Sequence, residues 1–314
     1  MNSISNDSIV VVAGATGVLG GEICRQLIEE GRQVRALVRI TSDTANVAAL
    51  KEMGVEVVEA DLKDRASLAK AVSGAAAIIS TVSSSFSRQE GDTIQSVDEE
   101  GQMNLVRAAV EAGISQFVFI SFCTMQGEFP LQSAKRNVEK QLVDSGMKYT
   151  ILQPTYFMDI WLSPALGFDA AARRATIYGS GKNKVSWITV PDVAFFAVSA
   201  LDNKDLENAT IELGGPQQLS PLEVVAIFEK VSGTSFEIQH VPDEALAAQA
   251  QQAADPLSQS FAGLLTTVAA GSVIEMKGVF ADLQKELTTV EEYARSVNQK
   301  EMTDTSPEDI QPTR

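Results

Sequence analysis

Ile9-Val-Val-Val-Ala-Gly14-Ala-Thr16-Gly17-Val18-Leu19-Gly20 is the stretch whose reading decides the fold. Four branched apolar residues run into glycines at 14, 17 and 20, and a helical apolar pattern follows through Ile23, Leu27 and Ile28. The order is buried strand, tight turn, helix. In that setting a Gly-x-x-Gly-x-x-Gly string points to a dinucleotide-binding turn, whereas the same string without its context says little. Gly14 permits the sharp turn, Gly17 lets backbone approach a pyrophosphate, and Gly20 lets the helix pack on the sheet. Thr16, Gly17, Val18 and Leu19 open the helix, where free N–H groups and a partial positive charge favour an anion.

Working outward, strand and helix signals alternate. Strands are read at 33–38, 55–60, 75–81, 116–120 and 149–152, with helices at 44–53 and 67–72, a long helix ending near 112, and one at 131–144. Short connections between alternating elements predict a Rossmann-type α/β fold, a doubly wound parallel sheet with helices on both faces. A ligand then lies outside the C-terminal strand ends, at the point where strand order reverses. That places Arg39, Asp61, Leu62, Thr81, Val82, Ser121, Thr124 and Pro154 among the candidates.

The second half is less regular. Residues 175–181 read as a turn, 185–189, 210–213 and 236–241 as strands, and 191–200 and 243–267 as helical. The expected organisation is a dinucleotide-binding core over 1–153, a substrate-binding part over 154–297 that returns elements to the sheet, and a polar disordered tail over 298–314. Whether 243–267 forms a lid stays open.

The 314 residues are 45% hydrophobic and carry a formal charge of −16. Such an acidic chain disfavours nucleic acid and anionic membrane as partners. Cys24 and Cys123 make no disulfide framework, no apolar stretch is long enough to span a bilayer, and the start lacks signal-peptide character. The default location is cytoplasmic. With a single histidine, His240, and no Cys/His cluster, no metal site is expected.

Arg39 stands about twenty residues past the glycine turn, where the discriminating group on the cofactor ribose is met. No acid lies within 36–42. A guanidinium suits a 2′-phosphate and a carboxylate would repel it, so NADP is favoured over NAD. Thr41 and Ser42 have hydroxyls to add, while Arg35 has the same strand parity but lies earlier. Asp61 admits two roles, acceptor for the adenine amino group with Leu62 beside the ring, or helix N-cap.

Gly14-Ala-Thr-Gly-Val-Leu-Gly20, Arg39, Ala60-Asp61-Leu62, Ser133-Ala-Lys-Arg136, Tyr149-Thr-Ile-Leu-Gln-Pro154, Tyr156-Phe-Met158 and Ile188-Thr-Val-Pro-Asp-Val-Ala194 together resemble the atypical short-chain dehydrogenase/reductases of the NmrA-like group. The resemblance spans residues 9–292. It implies an NADP-binding protein that is a quinone- or isoflavone-type reductase, a redox sensor without turnover, or a photosystem-assembly factor. It also implies that Lys135 sits by the nicotinamide ribose, with catalytic proton transfer by Lys135 as a hypothesis. The Tyr-x-x-x-Lys pair of most short-chain dehydrogenases is broken, because position 131 is Leu. The usual Ser falls near Phe122, between Ser121 and Thr124.

A missing tyrosine favours acceptors that need no dedicated acid, such as a quinone or enone, or no turnover at all. The reading is therefore an NADPH-dependent reductase acting on a small molecule. Its alternative is a non-catalytic NADP(H)-binding sensor or assembly factor acting through a protein partner. Thr124, Tyr156, Phe157, Met158 and Trp161 are candidate pocket residues, though an aromatic–Met cluster serves equally as core. Asp98, Glu99 and Glu100 read as a wet helix face.

Overall fold

The computed structural model describes residues 7–85, 89–276 and 285–304. The chain divides into two compact units. One comprises Met1–Thr155, Val190–Leu213 and Ala250–Leu264, and the other Tyr156–Thr189, Gly214–Gln249 and Leu265–Arg314. The first break lies two residues from the expected boundary at 153/154. The chain returns to the first unit twice, with a sheet strand and with part of a helix, so the units are not consecutive segments.

The first unit is a sheet with helices. Its strands are β1 (Ile9–Ala13), β2 (Gln33–Val38), β3 (Glu56–Glu59), β4 (Ala75–Ser80), β5 (Gln116–Ile120) and β6 (Lys148–Pro154), in the order β3-β2-β1-β4-β5-β6, with strand Ala209–Leu213 added beyond β6. All pairings are parallel. Val10, Val11, Val12, Ile78, Ile79, Phe117, Val118 and Phe119 are wholly buried, which is why the central strands read as unbroken apolar runs. Each such side chain contributes about 1.5–3 kcal/mol by leaving water. The order reverses between β1 and β4, and the crevice at their C-terminal ends is the switch point of this topology.

Helices α1 (Val18–Glu29), α2 (Thr44–Glu52), α3 (Arg65–Val72), α4 (Glu100–Ala112) and α5 (Pro130–Asp144) connect these strands. Leu105, Val106 and Ala109 of α4 are buried, as are Val138 and Leu142 of α5, but Val110 and Val143, which the sequence alone reads as part of the same apolar stripes, are each 45% exposed. A π-helical turn, Ile94–Glu99, precedes α4. Its Thr93–Ser96 capping box satisfies the Ser96 N–H through Thr93 Oγ1 at 2.9 Å and the Thr93 N–H through Ser96 Oγ at 3.0 Å.

The second unit holds two small sheets. Tyr156–Phe157, Val185–Ile188 and Gln218–Leu219 form one, and Phe168–Asp169, Arg174–Tyr178 and Glu237–Val241 the other. The supposed turn at 175–181 is largely strand. Ala175 and Ile177 alternate inward with the two-residue period of a strand, and the turn is confined to residues from Gly179 onward. The 243–267 stretch is two helices, Asp243–Gln252 and Pro256–Ala270, broken before Pro256. A further helix, Val290–Asp304, occupies the first residues assigned to a disordered tail; 305–314 lie outside the described residues.

Candidate functional site

The glycine turn is built as its spacing requires. Gly14 has φ +84°, and a Cβ there would stand 2.5 Å from Thr81 Oγ1 and 3.1 Å from the Val82 nitrogen. A Cβ on Gly20 would meet the Gly14 carbonyl oxygen at 2.1 Å, so helix and turn touch backbone to backbone. Gly17 is the N-cap of α1, in extended conformation and without a side-chain cap bond. Its own N–H donates to Gly14 O at 3.0 Å. The first turn of α1 carries no acid, and Val18 at its head is 69% exposed. Its leading N–H groups are thus left for an anion. Thr16 and Leu19 are half-buried, and Thr16 O accepts from Asn46 Nδ2 at 3.2 Å, an α2 contact that no motif announced. A backbone cradle that a Cβ would fill, at a helix N-terminus and a switch point, fits the diphosphate of a dinucleotide.

Arg39 follows β2. Its backbone N–H donates to Ser42 Oγ at 2.9 Å, and its Nη1 to Asp92 Oδ2 at 2.5 Å. Asp92 is 1% exposed in its side chain and also accepts from Lys63 Nζ at 2.6 Å and the Gln89 N–H at 3.0 Å. Burial raises the Asp92 pKa, but the bonds from Lys63 and Arg39 outweigh it and hold the carboxyl below the ordinary carboxylate value. Arg35 is occupied elsewhere, with Glu56, Ala71 O and Ser73 O. The α3 N-cap is Asp64, which accepts from the Ala66 N–H at 3.0 Å. Asp61 is therefore not that cap; its Oδ1 accepts from the Lys63 N–H at 2.8 Å, and it remains half-exposed beyond β3. Leu62 is packed into the core, with its carbonyl bound by Asn104.

Thr81 bonds back to the turn through its N–H to Ala13 O at 2.9 Å and its hydroxyl to Ala13 O at 3.2 Å. Val82 O accepts from Gln102 Nε2 at 3.0 Å and from Lys135 Nζ at 3.2 Å. Lys135 is 4% exposed. Its ammonium also reaches Ile120 O at 3.4 Å and lies 5.0 Å from the Phe119 ring centroid. Burial pulls its pKa down, opposed by the negative charges of Asp98 and Glu139. The N-terminus of α5 is held from a distance. The Leu131 N–H donates to Ser260 Oγ at 3.0 Å, replacing a local cap, and Gly263 lies against the Phe129 ring where a Cβ would come within 2.6 Å.

Asp98 corrects the sequence reading. It is wholly buried rather than on a wet face, although Glu100 is exposed. Its Oδ2 accepts from the Ser84 N–H at 3.1 Å and hydroxyl at 2.5 Å, and its Oδ1 has no protein partner. The wider π turn carries residue 98 off the outer face that an α-helical count assigns to it. Lys135 and Asp98 thus grip the loop after β4 two residues apart.

Ser121 is buried and its Oγ lies 3.4 Å from Arg136 Nη1. Pro154 is buried at the end of β6, its carbonyl accepting from the Cys123 N–H at 3.1 Å. Thr124 is exposed in the same unit. In the second unit Tyr156 is 1% exposed and packs edge-on to Trp161 at 4.9 Å between centroids, with Trp187 at 6.2 Å. Phe157 is half-buried and Met158 wholly buried. A cavity of about 30 Å³, bounded by Trp161, Leu166, Tyr178, Trp187 and Val268, lies inside this unit. That volume is too small for a quinone, since ligand pockets run to roughly 300–1,000 Å³. His240 is exposed, with Nδ1 3.2 Å from Gly179 O. Burial pushes the Cys24 thiol up to about 12, which makes it inert. Among the described residues no His/Cys/Asp/Glu group is arranged for a metal, and no helix is long and apolar enough to cross a membrane.

The NmrA-like family model matches residues 6–294. Photosystem II assembly factor Ycf39 of Synechocystis sp. is 32% identical over 240 residues, 74% of this chain and 70% of that protein. An NAD(P)H azoreductase of Xenophilus azovorans is 31% identical over 230 residues, 72% of this chain and 74% of its own. The structure of an NADPH-dependent quinone oxidoreductase of Escherichia coli superimposes with a TM-score of 0.74 at 24% identity, covering 92% of this chain and 99% of that one. It carries the same fold.

Proposed function

This chain belongs to the NmrA-like family, and from that premise we propose that it is an NADPH-dependent reductase delivering a hydride to a quinone, enone or related conjugated carbonyl. The observation that carries the reading is Lys135, a buried lysine whose ammonium is anchored on Val82 O and Ile120 O in the unit that holds the glycine cradle. An ammonium has three N–H donors. The two carbonyls take two, and the third serves a ribose hydroxyl. Gly14, Gly17 and Gly20 leave room for the diphosphate, and the N–H groups of Val18 and Leu19 point at it. Thr81, Val82, Ser121 and Pro154 line the strand ends along the nicotinamide half, Asp61 accepts from the adenine amino group, and Arg39 takes the 2′-phosphate. The bound cofactor supplies the hydride itself.

The acceptor class follows from what stands at 131. Leu131 is 6% exposed and has no proton to give. A ketone reduced to a secondary alcohol needs an acid at its oxygen, whereas a quinone or enone leaves a stabilised anion that water protonates. Lys135, with its pKa lowered by burial, is the candidate proton donor. The relative named an azoreductase also bears a name for reduction of a conjugated, electron-poor bond. The candidate substrate residues are Tyr156, Phe157, Met158 and Trp161 of the second unit and, in the first unit, Thr124 beyond the end of β5.

A second reading has its own support. Leu131 in place of an acid, together with a relative named as an assembly factor, favours an NADP(H)-binding protein that acts on a protein partner without turnover. One experiment separates the two: oxidation of NADPH by the purified chain across quinones, enones, azo dyes and aldehydes, with NADH and Lys135→Ala as controls. Turnover with one acceptor class, weak with NADH and lost in Lys135→Ala, supports the reductase. Tight NADPH binding with no turnover on any acceptor overturns it in favour of the second reading.

A further inference from the structure

The geometry points to Lys63 as a second specificity-determining cation for the 2′-phosphate, held beside Arg39 by Asp92. This inference rests on the proposed NADP preference and extends it to residues outside the β2 end. Arg39 comes from the end of β2, Lys63 from the loop after β3, and Asp92 from the loop before the π turn. One buried carboxylate joins them, Oδ2 to Arg39 Nη1 at 2.5 Å and Oδ1 to Lys63 Nζ at 2.6 Å. Asp92 is itself fixed by the Gln89 N–H at 3.0 Å.

The arrangement brings the two cationic heads together without using them up. Asp92 takes one guanidinium nitrogen, and among the described residues Arg39 Nη2 and Nε carry no protein bond. Arg39 is 25% exposed and Lys63 34%, while the carboxylate beneath them is 1% exposed. The donors therefore lie outward and the acceptor inward. Asp61, 3.9 Å from Lys63 Nζ, is the other acid facing the pair. Two adjacent cations repel, and a carboxylate between them offsets that repulsion while fixing both side chains. A guanidinium edge and an ammonium with donors to spare are the groups a phosphate binds, the first bidentate and the second as a point charge. A purely architectural trio pinning three loops would look similar, but it would have no reason to favour one dinucleotide.

The test is equilibrium binding to the full chain of NADPH and NADH, and of 2′,5′-ADP and 5′-AMP, for wild type and Lys63→Met, which keeps the apolar stem. The inference predicts that Lys63→Met weakens NADPH and 2′,5′-ADP about tenfold, the scale of one charge-assisted bond, while NADH and 5′-AMP are unchanged. Unchanged NADH binding also reports that the variant is folded. Equal loss for both members of each pair overturns the inference and leaves a loop-pinning trio, and so does no loss for either. A wild type that binds NADH as well as NADPH fails earlier and removes the NADP preference itself.

Discussion

Gly17→Ala and Gly20→Ala lie three residues apart in one motif and should fail in different ways. In α1 an alanine at 20 is intrinsically better than glycine by about 1 kcal/mol. The structure reverses that gain. The new Cβ would sit 2.1 Å from the Gly14 carbonyl oxygen, 2.6 Å from its carbon and 2.9 Å from Ala15 Cα, all of them backbone. Relief requires the helix to retreat by about 1 Å, pulling Ile23, Cys24 and Leu27 off the sheet, and overpacking of this kind costs about 1–3 kcal/mol. Because no flexible side chain can yield, the upper end applies, for a net loss of about 2 kcal/mol. Gly17 has φ −84° and ψ 166°, which any residue adopts, and its Cβ would meet only Gly14 O at 3.3 Å. Replacing a glycine N-cap by alanine costs about 1 kcal/mol at most, but the methyl stands where the diphosphate must approach. The assay is denaturant unfolding with and without saturating NADPH, since a ligand that binds only the folded state raises the midpoint. Gly20→Ala should lose stability in both conditions. Gly17→Ala should nearly match wild type without NADPH and lose most of the NADPH-induced shift. A Gly17→Ala protein that keeps the full shift, or a Gly20→Ala protein as stable as wild type, would refute the account of the turn.

Other outcomes follow from named contacts. Lys135 has its pKa lowered from the ordinary 10.5, so between the folded value and 10.5 the unfolded chain binds more protons and stability rises with pH. The difference in stability between wild type and Lys135→Met should therefore move in favour of wild type as pH rises toward 10.5, as measured by denaturant midpoints across pH. Asp98→Ala strands the Ser84 N–H and should cost about 3 kcal/mol, whereas Asp98→Asn keeps an acceptor and should cost about 1 kcal/mol. Loss of that negative charge also makes Lys135 easier to deprotonate, so its labelling by an amine reagent at mildly alkaline pH should rise in Asp98→Asn. Arg39→Met should weaken NADPH binding at least tenfold and leave NADH alone. It is a cleaner probe than Arg39→Asp, which would set a second carboxylate against Asp92.

Much of this was legible because period and punctuation agree with the fold. Gln33–Val38 and Gln116–Ile120 have the strand bounds that their apolar runs and flanking turn residues imply. The role of Gly20 could be read from spacing, because its close contact is with Gly14 six residues earlier, whereas the contact that excludes a side chain at Gly14 comes from Thr81 and Val82, far along the chain. What stayed hidden depends on contacts distant in sequence. Asp98 looked solvated because a helical wheel assumes regular turns, and the π turn at Ile94–Glu99 breaks that assumption. Lys63 and Asp92 carry no motif and meet only when the β2, β3 and β4 ends converge. Ser260 satisfies the N–H of Leu131 from 129 positions further along the chain, which no local cap signal reveals. The strand Arg174–Tyr178 was masked by the glycines that follow it.

The central claim is hydride transfer at a site organised by Lys135. The most direct measurement is deuterium transfer from NADPH deuterated at the reactive nicotinamide carbon to a quinone, enone or azo acceptor under single turnover, for wild type and Lys135→Met, with NADPH binding recorded in parallel. The account predicts label transfer to an acceptor, or its loss from the cofactor where the product exchanges with water, at a rate that falls sharply in Lys135→Met while NADPH still binds. Full retention of deuterium on tightly bound NADPH with every acceptor would contradict it.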